Sequence, residues 1–143
     1  MFVLILLILI LMILHLLCLR GRKNQPGMET LRGWFYAHRG LHDDEKPENS
    51  LAAYKAALDK GYGIEFDVHL LKDGSLAVMH DSDLKRTTGR EGFMEDLTAQ
   101  DLENYHLGGT DQTIPTFQQV LDLFDGQAPL IIELKTRCLL YTS

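Results

Sequence analysis

The chain has 143 residues, 45% of them hydrophobic, and 14 Lys and Arg against 20 Asp and Glu give a formal net charge of −6. That length holds one modest domain and falls well short of the roughly 250 residues of a complete (β/α)8 barrel. The acidic balance argues against a nucleic-acid partner, whose binders carry basic faces, and the cysteines, Cys18 and Cys138, have neither disulfide-framework nor metal-site spacing.

Residues 2–19 read FVLILLILILMILHLLCL, broken only by His15. A helix of that length is about 27 Å long, close to the ~30 Å hydrocarbon core of a bilayer, which predicts a transmembrane helix over 2–19. A core helix would carry a polar face. A cleaved signal peptide would want cations before the apolar run and small residues at a cleavage site after it. Instead Arg20, Arg22 and Lys23 follow the run. Cations on that flank predict a single pass through the cell membrane with the downstream domain cytoplasmic. Residues 20–32, with Pro26 and Gly27, read as a basic juxtamembrane linker.

From residue 33 onward, strand and helix signals alternate. Trp34 to His38 is a short apolar run. Ser50 to Lys60 is predicted helical, with Leu51, Tyr54 and Leu58 on one face, Asn49 or Ser50 as cap and Gly61 as stop. Gly63 to Leu70 alternates strictly, placing Ile64, Phe66, Val68 and Leu70 on one face and Glu65, Asp67 and His69 on the other. Lys72-Asp73-Gly74 marks a turn into a strand over Leu76 to Met79. A polar stretch over 81–98 follows, with a short helix expected from about Thr98. Phe117, Val120, Leu121 and Phe124 have core-facing helical spacing, and Thr116 with Gln119 forms a capping box. Pro129 to Leu134 reads as a buried strand.

This alternation predicts an α/β fold with parallel strands joined by right-handed crossovers. The connection around Lys72 is too short for a helix. It fits a parallel sheet if Gly63–Asp67 is the sheet strand and residues 68–74 leave it as a hairpin arm.

The chemistry-bearing residues fall at strand ends. His38 and Arg39 follow the first strand, Glu65 and Asp67 share a face of the second, His80 and Asp81 end the third, and Glu133 and Lys135 end the fourth. In a parallel α/β barrel these ends converge on one mouth. Three carboxylates offer hard oxygen ligands for Mg²⁺ or Ca²⁺, two histidines can divide general-acid and general-base work, and Arg39 and Lys135 can stabilise phosphoryl oxygens. A purely structural ion-pair network of Glu65 and Asp67 with Arg39 and Lys135 accounts for the same residues, and pattern alone does not choose.

Seven blocks occur in order: Ala37-His38-Arg39-Gly40, Pro47-Glu48-Asn49-Ser50, Gly63 to Val68 (GIEFDV), Lys72-Asp73-Gly74, His80-Asp81 with Leu84 to Gly89 (LKRTTG), Ile114-Pro115-Thr116, and Ile132-Glu133-Leu134-Lys135. The sequence thereby resembles the glycerophosphodiester phosphodiesterase family. The resemblance implies a (β/α)8 TIM barrel of the phospholipase-C-like phosphodiesterase type, of which residues 33–136 are the N-terminal part, truncated after about four strands. It implies His38 and His80 as the catalytic acid/base pair, Glu65, Asp67 and Glu133 as ligands of a divalent metal, and Arg39 and Lys135 as substrate-binding residues. The implied reaction is hydrolysis of a glycerophosphodiester to sn-glycerol 3-phosphate and an alcohol. A lysophospholipase D, with a lysophospholipid substrate, or a hydrolase of glycerol-phosphate polymers would use the same residues. A catalytically silent, membrane-tethered binding module would be favoured by loss of any of them, and none is lost. Residues 137–143 continue no barrel pattern and read as a non-native tail, so the chain alone is expected to be inactive and prone to aggregate through its open edges.

Overall fold

The computed structural model describes residues 2–19 and 27–135. The chain divides into two compact units, Met1–Arg32 and Gly33–Ser143. Residues 137–143 lie outside the described residues, as do Arg20, Arg22 and Lys23.

In the first unit, helix α1 spans Phe2–Cys18 and helix α2 Met28–Leu31. The apolar run does form a helix, but one of 17 residues. Among the described residues, no helix is long and apolar enough to cross a membrane. The expected transmembrane helix over 2–19 is therefore not supported. At 1.5 Å per residue α1 extends only about 25 Å, because Leu19 already lies in a turn.

The second unit contains strand β1 (Tyr36–His38), helix α3 (Leu51–Asp59), strand β2 (Gly63–Leu70), strand β3 (Leu76–Val78), helix α4 (Lys85–Thr88), helix α5 (Phe117–Phe124) and strand β4 (Leu130–Lys135). Two 3₁₀ turns, Met94–Asp96 and Asp101–Asn104, lie between α4 and α5. The second of them occupies the place of the helix expected from Thr98.

Strand β2 is the centre of the sheet. Ile64 and Glu65 pair with β1 and with β4, while Val68 and His69 pair with β3 and with β4. So β4 runs along one edge of β2, and β1 and β3 divide the other. β1 and β4 are parallel to β2 and β3 is antiparallel. Three parallel strands and a hairpin arm thus make up the partial α/β sheet of four strands expected for the N-terminal part of a barrel. The arm is β3 alone. Val68 and His69 do not leave the sheet, because their other edge stays paired with Leu134 and Lys135.

Helix α3 starts at Ser50, whose hydroxyl accepts from the Ala53 N–H at 3.1 Å. Helix α5 starts with the expected capping box, the Gln119 side chain accepting from the Thr116 N–H at 2.8 Å. Capping satisfies N–H groups that have no partner within the helix. Both helices cover one face of the sheet, where Tyr54, Ala57, Ile64, Phe66, Val68, Val120 and Phe124 form the core. Each large side chain buried there contributes about 1.5–3 kcal/mol. Gly63 is required where β1, β2 and β4 meet, since a Cβ there would lie 2.6 Å from the Pro129 carbonyl oxygen and 2.8 Å from the Tyr36 ring.

Two sequence expectations change. The polar stretch over 81–98 supplies Leu84, Met94 and Leu97 to a second cluster with Met79, Leu102, Leu107 and Ile114. Strand β4, expected to be buried, exposes Ile131, Ile132 and Leu134. Among the described residues only its β2 edge is paired, and Leu130, at its start, packs against the core.

Candidate active site

Strand β1 delivers His38 to the sheet end, where the chain turns sharply. Arg39 takes a left-handed conformation at φ 58°, and so does Asn49. Such strain in non-glycine residues persists only where surrounding contacts hold it. Here the Arg39 N–H donates to the Glu65 carbonyl at 2.8 Å, and the Asn49 N–H donates to the Arg39 carbonyl at 2.9 Å. Gly40, at φ 88°, seats the turn on α3, where a Cβ would meet the Ala53 Cβ at 2.8 Å. The turn returns the Arg39 guanidinium toward β2, its Nε 3.9 Å from Asp67 Oδ2.

The parallel register sets Glu133 opposite Asp67 and Lys135 opposite His69. One ligand atom each from Glu65, Asp67 and Glu133 lies within 4.8 Å of the others. Lys135 Nζ donates to Glu133 Oε1 at 2.6 Å and stands 3.0 Å from Asp67 Oδ1. His38 Nε2 is 3.7 Å from Glu65 Oε2.

His80 arrives by the opposite route. Because β3 is antiparallel, the chain descends beside β2, and the Met79 N–H donates to the Asp67 carbonyl at 3.1 Å. His80 Nδ1 then meets Asp81 Oδ1 at 2.6 Å, and Asp81 is itself paired with Arg86 Nε. Arg86 also reaches Glu48 at 2.5 Å, and Glu48 lies 3.3 Å from Arg39 Nη1. All seven residues singled out in the sequence therefore gather at one end of the sheet. The struts Asp81 and Arg86 carry no role that the sequence pattern declares, although each stands in one of the seven blocks.

The electrostatics is uneven. The Glu65 carboxyl is raised above its ordinary value, first by burial and then by the charge of Asp67. Glu133 moves the opposite way, lowered by its hydrogen bond from Lys135. Lys135 is raised by the same bond. For Glu48 and Asp81, burial is the largest single influence and pushes upward, but the bonds and charge of Arg86 together with those of Arg39 or His80 outweigh it, and both end lowered.

Glu65 Oε2 and Asp67 Oδ2 are buried without a hydrogen-bond partner among the described residues. Buried polar atoms normally have one. Two unpartnered carboxylate oxygens, with Glu133 beside them, form the hard-oxygen set that Mg²⁺ or Ca²⁺ takes. The surrounding cations satisfy them only loosely, since Asp67 Oδ2 has Arg39 Nε at 3.9 Å and Glu65 Oε2 has His38 Nε2 at 3.7 Å, both beyond hydrogen-bond reach. The residues fit a divalent cation.

Residues 38–137 match the model of the glycerophosphoryl diester phosphodiesterase family. The glycerophosphodiester phosphodiesterase of Caldanaerobacter subterraneus subsp. tengcongensis is 41% identical over 115 residues, covering 73% of this chain and 46% of that protein. A lysophospholipase D of Rattus norvegicus is 33% identical over 112 residues, covering 69% of this chain and 35% of that protein. Among solved structures, an Oleispira antarctica phosphodiesterase in complex with the product sn-glycerol-3-phosphate matches with a TM-score of 0.66 at 29% identity, covering 75% of this chain and 46% of that one. The chain thus spans about half the length, or less, of these relatives.

Proposed function

Because the chain belongs to the glycerophosphoryl diester phosphodiesterase family, we propose that the complete-length protein hydrolyses glycerophosphodiesters to sn-glycerol 3-phosphate and an alcohol. The observation that carries this reading is the set of three carboxylates within 4.8 Å, two of them with unpartnered buried oxygens, beside two histidines and two cations.

Glu65, Asp67 and Glu133 hold a divalent cation, Mg²⁺ or Ca²⁺. When bound, it supplies polarisation of a phosphoryl oxygen. Arg39 and Lys135 bind the remaining phosphoryl oxygens and stabilise the charge that develops on them. His38 and His80 divide the proton transfers, one taking a proton from the attacking oxygen and the other giving one to the departing alcohol. His80 suits that work because Asp81 engages Nδ1, which leaves Nε2 to act as donor or acceptor. Incubation of the complete-length protein with glycerophosphocholine is expected to release sn-glycerol 3-phosphate and choline. Turnover of lysophosphatidylcholine alone would move the reading to a lysophospholipase D.

Membrane association is part of the same proposal and bears on that second reading. The side chains of α1 from Leu4 to Leu17 are exposed and, His15 apart, apolar, and Arg20, Arg22 and Lys23 follow them in sequence. An exposed apolar helix gains by entering a lipid phase, and flanking cations favour the cytoplasmic face. The protein is expected to co-sediment with lipid vesicles. A variant beginning at Gly33 that sediments equally well would remove α1 from this role.

A further inference from the structure

His69 and Glu95 take no part in the chemistry above, yet among the described residues they form the most buried pairing of a histidine with a carboxylate. His69 is 2% exposed. It follows Glu65 and Asp67 on the same face of β2, one position further along. Its Nδ1 is 2.9 Å from Glu95 Oε1, and its Nε2 is 3.3 Å from the carbonyl oxygen of His80. The other Glu95 oxygen, Oε2, accepts from the Ser82 hydroxyl at 2.6 Å. Glu95 is therefore tied directly to Ser82 and, through the His69 ring, to His80, the two ends of the segment His80-Asp81-Ser82. The Met94 N–H, from the same 3₁₀ turn as Glu95, donates to the Ser82 carbonyl at 2.8 Å and closes the arrangement.

This clip matters because it holds the His80 main chain, whereas the Asp81 strut holds only its side chain. The ladder between β2 and β3 ends at Val78, the last backbone bond before His80 is that of Met79, and the next one after it is the bond from Met94 to Ser82. The His80 side chain is 35% exposed, and its own partner Asp81 is 27% exposed. As space filling, a His–Glu pair is a poor choice, since apolar residues of similar volume bury at lower desolvation cost. What apolar residues cannot do is grip a carbonyl and a hydroxyl two residues apart.

We propose that Glu95 and His69 are positioning residues for His80. The bridge from the His69 ring through Glu95 to Ser82 fixes the main chain from the His80 carbonyl to Ser82 and aims the His80 imidazole into the site. The aiming matters for catalysis only if the phosphodiesterase reading holds, whereas the clip itself does not depend on it.

The test uses the complete-length protein with Glu95→Ala and Glu95→Gln, the latter keeping one acceptor oxygen. Three properties are followed: the imidazole NMR signals of His80, assigned by their loss in His80→Ala; kcat and KM for glycerophosphocholine; and Tm. For Glu95→Ala, shifted or broadened His80 signals are expected, with kcat lower by about 10- to 100-fold and KM within about twofold, as for a misplaced catalytic group. Glu95→Gln is expected to fall between. His80 signals unchanged in both variants, or a loss of kcat no larger than the unfolded fraction given by Tm, would overturn the proposal. A wild-type protein without hydrolysis, whose His80 signals still move in Glu95→Ala, would remove the phosphodiesterase reading and leave the clip standing.

Discussion

Replacing His80 or His38 with alanine in the complete-length protein is expected to lower kcat for glycerophosphodiester hydrolysis by roughly 10²–10⁴-fold, the usual worth of a general acid or base. The fold should hardly change. The His38 side chain is 69% exposed and makes only a 3.7 Å contact with Glu65. His80 is more enclosed, but its ring bonds outward to Asp81. Side chains so placed add little to stability, so their removal should alter it by about 0.5 kcal/mol or less for His38 and little more for His80. A large loss of kcat with an unchanged unfolding transition therefore identifies chemistry rather than packing. The double variant should lose little more than the worse single variant, because groups acting on one transition state are not additive. Retention of wild-type kcat in either single variant would transfer its role to another group, Asp81 being the nearest to His80.

The second large effect concerns stability. Saturating Mg²⁺ or Ca²⁺ at about 100 times Kd is expected to stabilise the folded protein by about 2.7 kcal/mol, or roughly 5–10 °C in Tm for a protein of full barrel length. Its pH dependence follows from Glu65. Burial and Asp67 raise this carboxyl above 4.5, so the folded state binds that proton more tightly than the unfolded chain does. Ionised Glu65 therefore costs stability, a cost absent below pH 4.5 that grows until the pH passes the raised folded value. A cation relieves that cost, so its stabilising effect is full at neutral pH and is lost as pH falls through the raised value. Glu133, lowered by Lys135, stays ionised to lower pH and is not where the loss begins. Differential scanning calorimetry at about pH 7 and about pH 4, with and without cation, reads both parts. An increment as large in acid as at neutral pH would contradict the Glu65 account.

Much of this site could be read from the sequence, for a physical reason. Strand alternation has a period of two, so Glu65 and Asp67, or Glu133 and Lys135, declare a shared face without any knowledge of the fold. The Thr116–Gln119 capping box and the Ser50 cap are equally local, and both form. What depended on distant pairing was harder. His80 comes beside β2 because β3 reverses along it, not because parallel strand ends converge. The stretch over 81–98 looked polar, yet its few apolar residues, Leu84, Met94 and Leu97, are those that close a second core. The role of Glu95 was hidden for the same reason: its partners His69 and Ser82 lie 26 and 13 residues away. The length of α1 failed as a predictor of a span, since composition sets where an apolar run lies but not where its helix ends.

The most direct measurement is the release of sn-glycerol 3-phosphate from glycerophosphocholine by the complete-length protein, assayed with Mg²⁺, with Ca²⁺ and with EDTA. Release that requires one of the cations, stops in EDTA and returns when the cation is restored is the expected result. Release undiminished in EDTA would contradict the assignment of Glu65, Asp67 and Glu133 as a catalytic cation site, and no release with either cation would contradict the proposed reaction itself.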